Sequence, residues 1–125
     1  MAPNRREPVV NDSTATVADL KRLVQDFVTE RDWEPFHDAK NLSTAIAIEA
    51  AELMEHFQWL RSEELPAVLD DVAAMKEIRA ELADITAFVL SFAMTMGIDL
   101  SSALAEKMKQ NAIKYPIERF RGRFR

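Results

Sequence analysis

The amino-acid sequence predicts an all-α fold. Its 125 residues contain only two glycines and five prolines, too few for the many tight turns of a sheet sandwich. Apolar residues instead recur three and four positions apart over long stretches, as they do on one face of a helix. We therefore expect one domain with a four-helix-bundle-like fold, and association into oligomers would help so small a chain to enclose a site.

The chain divides into three predicted segments. Residues 1–15 mix Pro, Asn, Arg and Glu without periodicity and are expected to form a flexible tail. Residues 16–116 carry the helical patterns and form the single all-α domain, in which any catalytic site should lie. Residues 117–125 form a basic C-terminal tail that contains four arginines.

The first helix is predicted over residues 17–31. Thr16 and Asp19 resemble a capping box, in which each side chain binds the backbone N–H of the other residue. The following segment, residues 31–42, interrupts the pattern at Pro35 and places aromatic and polar side chains in a loop. Binding residues often lie in such loops, although these aromatic residues could equally close the end of a bundle.

The second helix is predicted from about Ser43 to Leu60, and residues 61–72 form a connector in which a short helical turn could fit. The third helix occupies about residues 73–96 and ends at Gly97, because glycine favours the position after a helix. The second half of the third helix is apolar on nearly all sides. It is therefore either the central helix of the fold or partly a subunit interface.

The fourth helix is predicted over about residues 101–114, with Asp99 or Ser101 as its N-cap. It ends before Pro116, because the residue that precedes a proline avoids the helical conformation. A cation, an amide and a phenol recur every four residues on one face: Lys107, Asn111 and Tyr115. Such a row suits an oxyanion ligand, although an ordinary solvated face has the same composition.

Two pairs of carboxylates lie on the second and third helices: Glu49 with Glu52, and Glu81 with Asp84. Glu81 falls inside an apolar stripe and Glu49 borders one, so both are predicted to face the interior. A buried carboxylate needs a cation, a proton or a hydrogen-bonding partner. The short connector suggests that the two helices are antiparallel, which would let the pairs converge.

Four converging carboxylates would repel one another, and no Lys or Arg is evident on the same faces. A divalent cation would remove the repulsion, and ligands that are all oxygen favour Mg²⁺, with Mn²⁺ as an alternative. A di-iron bundle would need Glu-x-x-His on two helices, but His56 follows Glu52 by four residues and His37 lies in a loop. Each pair alone is also common on exposed helical surfaces.

Composition excludes several classes of site. The absence of cysteine excludes disulfides, thiolate metal sites and cysteine nucleophiles. The first ten residues lack the apolar segment of a signal peptide, and the apolar run 85–98 is too short to span a bilayer, so we expect a cytoplasmic protein with no membrane partner. A net charge of −5 argues against a nucleic acid as the main partner, despite the terminal sequence RFRGRFR.

Five segments in a fixed order carry a family resemblance: WEPFHDAKNL, EAAELMEHFQW, ELADITAF, GIDL and KMKQNAIKYP. Together they resemble the all-α nucleoside triphosphate pyrophosphohydrolases of the MazG-like superfamily, above all the small dCTP pyrophosphatase group. The resemblance covers about residues 17–122. It implies a Mg²⁺-dependent hydrolase that splits a (deoxy)nucleoside triphosphate between its α- and β-phosphates, and subunits that pair as dimers or tetramers with sites assembled between them.

The resemblance also implies roles for individual residues. Four residues fall on the metal-binding motif of that group: Glu49, Glu52, Glu81 and Asp84. Three fall on phosphate-contacting positions: Lys107, Asn111 and Tyr115. Four match positions around the base and sugar: Trp33, Phe36, His37 and Trp59. Two positions depart from the pattern, since Phe88 replaces an expected Tyr and Val24 stands where that group often has a His.

The leading hypothesis is a house-cleaning enzyme that hydrolyses dCTP or a modified dCTP to the monophosphate and pyrophosphate. Its general base is left open between Glu55 and the four carboxylates of the metal motif. The alternative is a non-catalytic helical oligomer that binds a nucleotide or a protein partner.

Overall fold

Helices make up all the regular structure in the part of the chain that the computed structural model describes, residues 10–123. The α-helices are α1 (Val17–Glu30), α2 (Ala39–Glu55), α3 (Leu65–Val68), α4 (Val72–Met96), α5 (Leu100–Lys114) and α6 (Ile117–Phe120). Two 3₁₀ turns, Glu34–Phe36 and Ser62–Glu64, precede α2 and α3. The prediction of an all-α fold is confirmed.

The central element is α4, which packs most extensively against α2 and also against α1. Its C-terminal half contributes the buried residues Leu90, Ser91 and Ala93, while α2 contributes Leu42 and α1 contributes Val28. At about 1.5 Å per residue this 25-residue helix is about 37 Å long. One end of α4 can therefore hold the core while the other end borders a separate site.

The direction of α2 relative to α4 follows from three contacts. Near the start of α2, the Thr95 hydroxyl donates a hydrogen bond to the carbonyl of His37. Further along, carboxylate oxygens of Glu49 and Glu81 approach each other, and beyond α2 His56 lies 3.9 Å from Glu77. Because the residue numbers rise on one side and fall on the other, the helices are antiparallel, as the short connector predicted.

The second helix begins and ends earlier than the predicted range of residues 43–60. It begins at Ala39, because the Asp38 side chain accepts a hydrogen bond from the Asn41 N–H at 2.8 Å and so caps the helix. It ends at Glu55, after which the N–H groups of Phe57 and Leu60 bond to carbonyls three residues earlier. Trp59 therefore lies in a turn and is 86% exposed, rather than on a helix.

The other predicted helix ends agree with the structure to within one residue. Thr16 and Asp19 form the reciprocal capping box, with N–H to oxygen distances of 2.9 and 3.1 Å. The N-cap of α5 is Asp99, whose carboxylate accepts from the Ser102 N–H at 3.0 Å. Gly97 follows α4 with a φ of +66°, in the left-handed region that glycine adopts without the strain of a side chain.

Most of α5 packs against no other helix in the described chain. It leaves α4 at an angle of 98°, and Leu104, Met108 and Ile113 are 64%, 55% and 82% exposed. No single helix in residues 10–123 is long and apolar enough to cross a membrane; α4 and α5 meet that test only as a pair joined across the bend. A run of exposed apolar residues on one helix marks a surface that is suited to contact with another molecule.

The two predicted tails are partly structured. Residues 10–15 include a turn in which the Asn11 side chain accepts from the N–H groups of Ser13 and Thr14, each at 3.0 Å. Within the predicted C-terminal tail, α6 brings Phe120 edge-on against Tyr115, with ring centroids 5.2 Å apart. Residues 1–9 and 124–125 lie outside the described range.

Replacement of Asp71 by alanine should destabilise the fold by about 1 kcal/mol, because the Asp71 carboxylate caps α4 by accepting from the Ala74 N–H at 3.0 Å. Urea unfolding followed by circular dichroism measures the change. Asp70→Ala is the matched control, since the neighbouring Asp70 side chain makes no hydrogen bond within the described residues. Equal stability of the two variants would contradict the assigned cap.

Candidate active site

Three carboxylates converge where α2 crosses α4. One oxygen from each of Glu49, Glu52 and Glu81 lies within 4.8 Å of the others. The Oε2 atoms of Glu49 and Glu81 are buried and have no hydrogen-bond partner. No Lys or Arg in residues 10–123 forms an ion pair with the three. The group therefore carries negative charge that the described protein atoms do not neutralise.

Local sequence and helix packing together produce this arrangement. Glu49 and Glu52 lie one turn apart on α2, so both point to the same side of that helix. Glu81 faces them from α4 because it occupies a position in the stripe that packs against α2. The prediction that Glu81 points inward is confirmed by its buried Oε2 atom.

The surroundings of Glu49 raise the pKa of its carboxyl group from an ordinary 4.5 to about 7. Burial is the largest cause, because it removes water from the charged form. Hydrogen bonding and charge from Glu52 follow, then contact with Glu81 and the negative charge of Asp84. Near neutral pH this group therefore holds either a proton or a positively charged partner.

Asp84, the fourth predicted metal ligand, is exposed and lies outside the group of three converging carboxylates. It is one turn beyond Glu81 on α4, close enough for its charge to act on Glu49. Phe88, which follows Asp84 by another turn, is half-buried. The structure thus places Asp84 at the edge of the cluster, and its part in metal binding stays a prediction.

Among the predicted base-contacting residues, Trp33 packs edge-on against Phe27, with ring centroids 5.7 Å apart. The Arg31 guanidinium lies 3.7 Å from the centroid of the Phe27 ring on α1. Phe27 is 49% exposed. Sequence spacing does not predict that Phe27 contacts Trp33, because the turn after α1 creates this contact.

His37 lies far from the carboxylates of the same chain. Its carbonyl accepts from Thr95, which is 14 residues beyond Glu81 and therefore about 21 Å further along α4. The His37 Nδ1 atom is buried without a partner beside a cavity of about 70 Å³ that is also lined by Gln25 and Ser91. Phe36, one residue earlier, is 66% exposed. A single chain therefore does not bring His37 to the carboxylates.

The predicted phosphate contacts on α5 also lie apart from the carboxylates. Lys107 is exposed, the Asn111 amide donates to the sulfur of Met108 at 3.8 Å, and Tyr115 packs against Phe120. Within the described residues, no hydrogen bond or ion pair joins these three side chains to the cluster. The described chain by itself therefore does not join the two sets of side chains.

Comparison with known proteins places this arrangement in a family. The family described as MazG-like matches residues 44–123, a range that contains all three converging carboxylates. The chain belongs to the MazG-like family. Membership confirms the family resemblance seen in the sequence motifs.

This MazG-like chain is similar to dCTP pyrophosphatase 1 from Bos taurus, with 36% identity over 115 residues, 92% of this chain and 68% of that protein. Its identity to dCTP pyrophosphatase 1 from Homo sapiens is 35% over 101 residues, 81% of this chain and 59% of that protein. A solved pyrophosphatase from Archaeoglobus fulgidus DSM 4304 has a TM-score of 0.76 and 33% identity, and the match covers 86% of this chain and 99% of that one.

These relatives confirm the fold and, at the level of the family, the predicted enzyme class of nucleotide pyrophosphohydrolase. The chain spans 68% of the length of the bovine relative and 59% of the human one.

In the absence of metal, the protein should lose stability as pH rises from about 4.5 to about 7. Over this range the folded state still binds a proton on Glu49, whereas the unfolded chain has already released it. Thermal unfolding in EDTA at pH 5 and pH 8 measures the loss. Glu49→Gln should reduce this pH dependence, because glutamine carries no titrating proton.

Addition of Mg²⁺ at pH 8 should then raise the melting temperature of the wild type and have little effect on Glu49→Gln, since binding to the folded state alone stabilises it. Glu63→Gln, at an exposed position in the connector, is the control and should behave like the wild type. A magnesium response that persists unchanged in Glu49→Gln would contradict the prediction that Glu49 binds the ion.

Proposed function

We propose that this protein is a Mg²⁺-dependent nucleoside triphosphate pyrophosphohydrolase that converts dCTP, or a modified dCTP, to the monophosphate and pyrophosphate. The observation that carries the proposal is the cluster of Glu49, Glu52 and Glu81, with two buried oxygens that lack partners. The similarity to dCTP pyrophosphatase 1 supports the choice of substrate.

The residues present fit a hard divalent cation. Their ligand atoms are all carboxylate oxygens, which Mg²⁺ and Mn²⁺ prefer over the softer ligands that suit zinc. Glu49, Glu52 and Glu81 would hold the ion, with Asp84 as a fourth ligand from the next turn of α4. When bound, a divalent ion neutralises phosphate charge and makes a water molecule more acidic.

The carboxylates of the chain account for selectivity and for proton transfer in this proposal. An anionic triphosphate is repelled by the cluster unless positive charge accompanies it, so the nucleotide enters with its counter-ion. Attack of water on the triphosphate breaks the bridging bond between the α- and β-phosphates, and a carboxylate that is free of the ion accepts the proton. Glu55, exposed at the end of α2, is the candidate base that lies outside both the cluster and the proposed set of ligands.

Aromatic and donor side chains would hold the rest of the nucleotide. Trp33 and Trp59 offer exposed faces on which a base can stack, at about 1–3 kcal/mol for each stacked base. Lys107, Asn111 and Tyr115 offer donors to phosphate oxygens. Because α5 lies apart from the cluster of its own chain, we infer that these donors come from a second copy in a homodimer or homotetramer.

The proposed setting is the cytoplasm, on the sequence argument alone. The proposal includes neither a membrane partner nor a main role in nucleic-acid binding.

Glu81→Gln should reduce pyrophosphate release by at least about 100-fold. Loss of a group that only hydrogen-bonds to a metal ligand already lowers activity or metal affinity by about 10–100-fold, and Glu81 is proposed to bind the ion directly. The assay incubates dNTPs, NTPs and modified dCTPs with and without Mg²⁺ and identifies both products. Glu63→Gln, outside the cluster, should retain wild-type turnover. Orthophosphate as the first product, or full activity in EDTA, would overturn the proposed reaction.

Met108→Glu should dissociate the proposed oligomer and abolish pyrophosphate release while helix content is retained. Met108 is 55% exposed on the unpartnered face of α5, and a charge at a subunit contact costs several kcal/mol. Light scattering gives the mass in solution. Gln110→Glu is the matched control, since Gln110 lies about 200° around the helix from Met108. A wild-type monomer with full activity would contradict the shared site.

A further inference from the structure

A groove between α1 and α4 begins beside the carboxylate cluster. Its volume is about 550 Å³, within the range of roughly 300–1,000 Å³ that is typical of small-molecule sites. Its walls are apolar: Leu23, Val24 and Phe27 from α1, and Ala87 from α4. Three carboxylates also line it, those of Asp26, Glu30 and Asp84.

The groove connects the two halves of the proposed site. Asp84, which lines the groove, lies one turn from Glu81 of the cluster. Phe27 also lines it, and the Phe27 ring packs edge-on against Trp33 at 5.7 Å. A ligand in the groove would therefore extend from the cluster towards the aromatic residues, as a nucleotide does from its phosphates to its base.

The carboxylates of the groove do not form a second metal site. In the described part of the chain, the converging group is that of Glu49, Glu52 and Glu81, and the groove's carboxylates are not part of it. They lie beside apolar walls, which favour a flat organic group. A carboxylate in this setting acts as a hydrogen-bond acceptor and disfavours any ligand atom that is itself an acceptor.

Asp26 is the carboxylate of the groove whose acceptor oxygens are free. The Glu30 carboxylate lies 3.5 Å from the Arg31 guanidinium, and Asp84 belongs to the edge of the cluster. Asp26 forms no ion pair and accepts no side-chain hydrogen bond within residues 10–123. It lies one turn before Glu30 on α1 and lines the groove with it.

We propose that Asp26 selects bases that carry an exocyclic amino group, and so prefers cytosine to uracil or thymine. An amino group donates a hydrogen bond that a carboxylate accepts, as Asp and Glu do when they contact N4 of cytosine. Uracil and thymine present a carbonyl oxygen at the same position, and this oxygen is repelled by the carboxylate. The inference rests on the proposed function, since it assumes that the groove holds the nucleoside part of the substrate.

The test compares dCTP with dUTP, which differ at this position of the ring by an amino group and a carbonyl. The wild type should show the higher kcat/KM for dCTP, and Asp26→Asn should reduce the dCTP to dUTP ratio by about tenfold. Asparagine retains an acceptor but adds a donor for the uracil carbonyl. Asp26→Ala should also reduce the ratio, because dCTP loses its hydrogen-bond acceptor and the uracil carbonyl is no longer repelled.

Two control variants separate selection from general damage. Glu30→Gln should change the ratio less than Asp26→Asn, because Glu30 is paired with Arg31. Asp70→Asn, at an exposed site away from the groove, should leave both rates unchanged. All variants are checked for wild-type thermal unfolding, which is expected because Asp26 is exposed.

Calorimetric affinities for dCMP and dUMP decide the inference independently of hydrolysis. The ratio of the affinity for dCMP to the affinity for dUMP should fall in Asp26→Asn, even if no triphosphate is cleaved. An unchanged ratio in both Asp26 variants, with pyrophosphate release intact, would overturn the role of Asp26 and leave the proposed function standing. Failure of the wild type to release pyrophosphate from any nucleotide would overturn the proposed function, and the affinities for dCMP and dUMP would then decide the role of Asp26 in selecting the base.

Discussion

Repulsion among three carboxylates across the contact between α2 and α4 is the constraint on which the rest of the site depends. Glu49 and Glu81 each keep a buried oxygen without a hydrogen-bond partner, so the packed helices carry an electrostatic cost. Residues 10–123 supply no Lys or Arg that pairs with them. The contact that assembles the core therefore also creates a site that favours a proton or a cation, which couples the stability of the fold to what this site binds.

The length of α4 lets one helix contribute both to the apolar core and to the charged cluster. Its C-terminal half buries Leu90 and Ala93, to 5% and 2% exposure, and so anchors the helix in the core. The part around Glu81, more than two turns earlier, borders the charged cluster and the groove along α1. By contrast α5 exposes its apolar residues, which form a surface suited to contact with another molecule.

Local patterns were sufficient to predict most of the helices. The capping box of Thr16, the cap at Asp99 and the stop at Gly97 involve groups at most a few residues apart, so their geometry can be inferred from spacing alone. The range of α2 was wrong at both ends. The helical spacing of its apolar residues continues into the turn that contains the half-buried Phe57, and periodicity does not distinguish a helical residue from a turn residue.

By itself the sequence determined that the chain is helical, that Glu81 points inward, and that two acidic pairs lie on adjacent helices. The tertiary structure alone decided that Asp84 stands at the edge of the cluster, that His37 lies far along α4, and that Phe27 contacts Trp33. The physical reason is one of range. Helical spacing determines which face a side chain occupies, whereas distances between helices depend on how far one slides and rotates against the other.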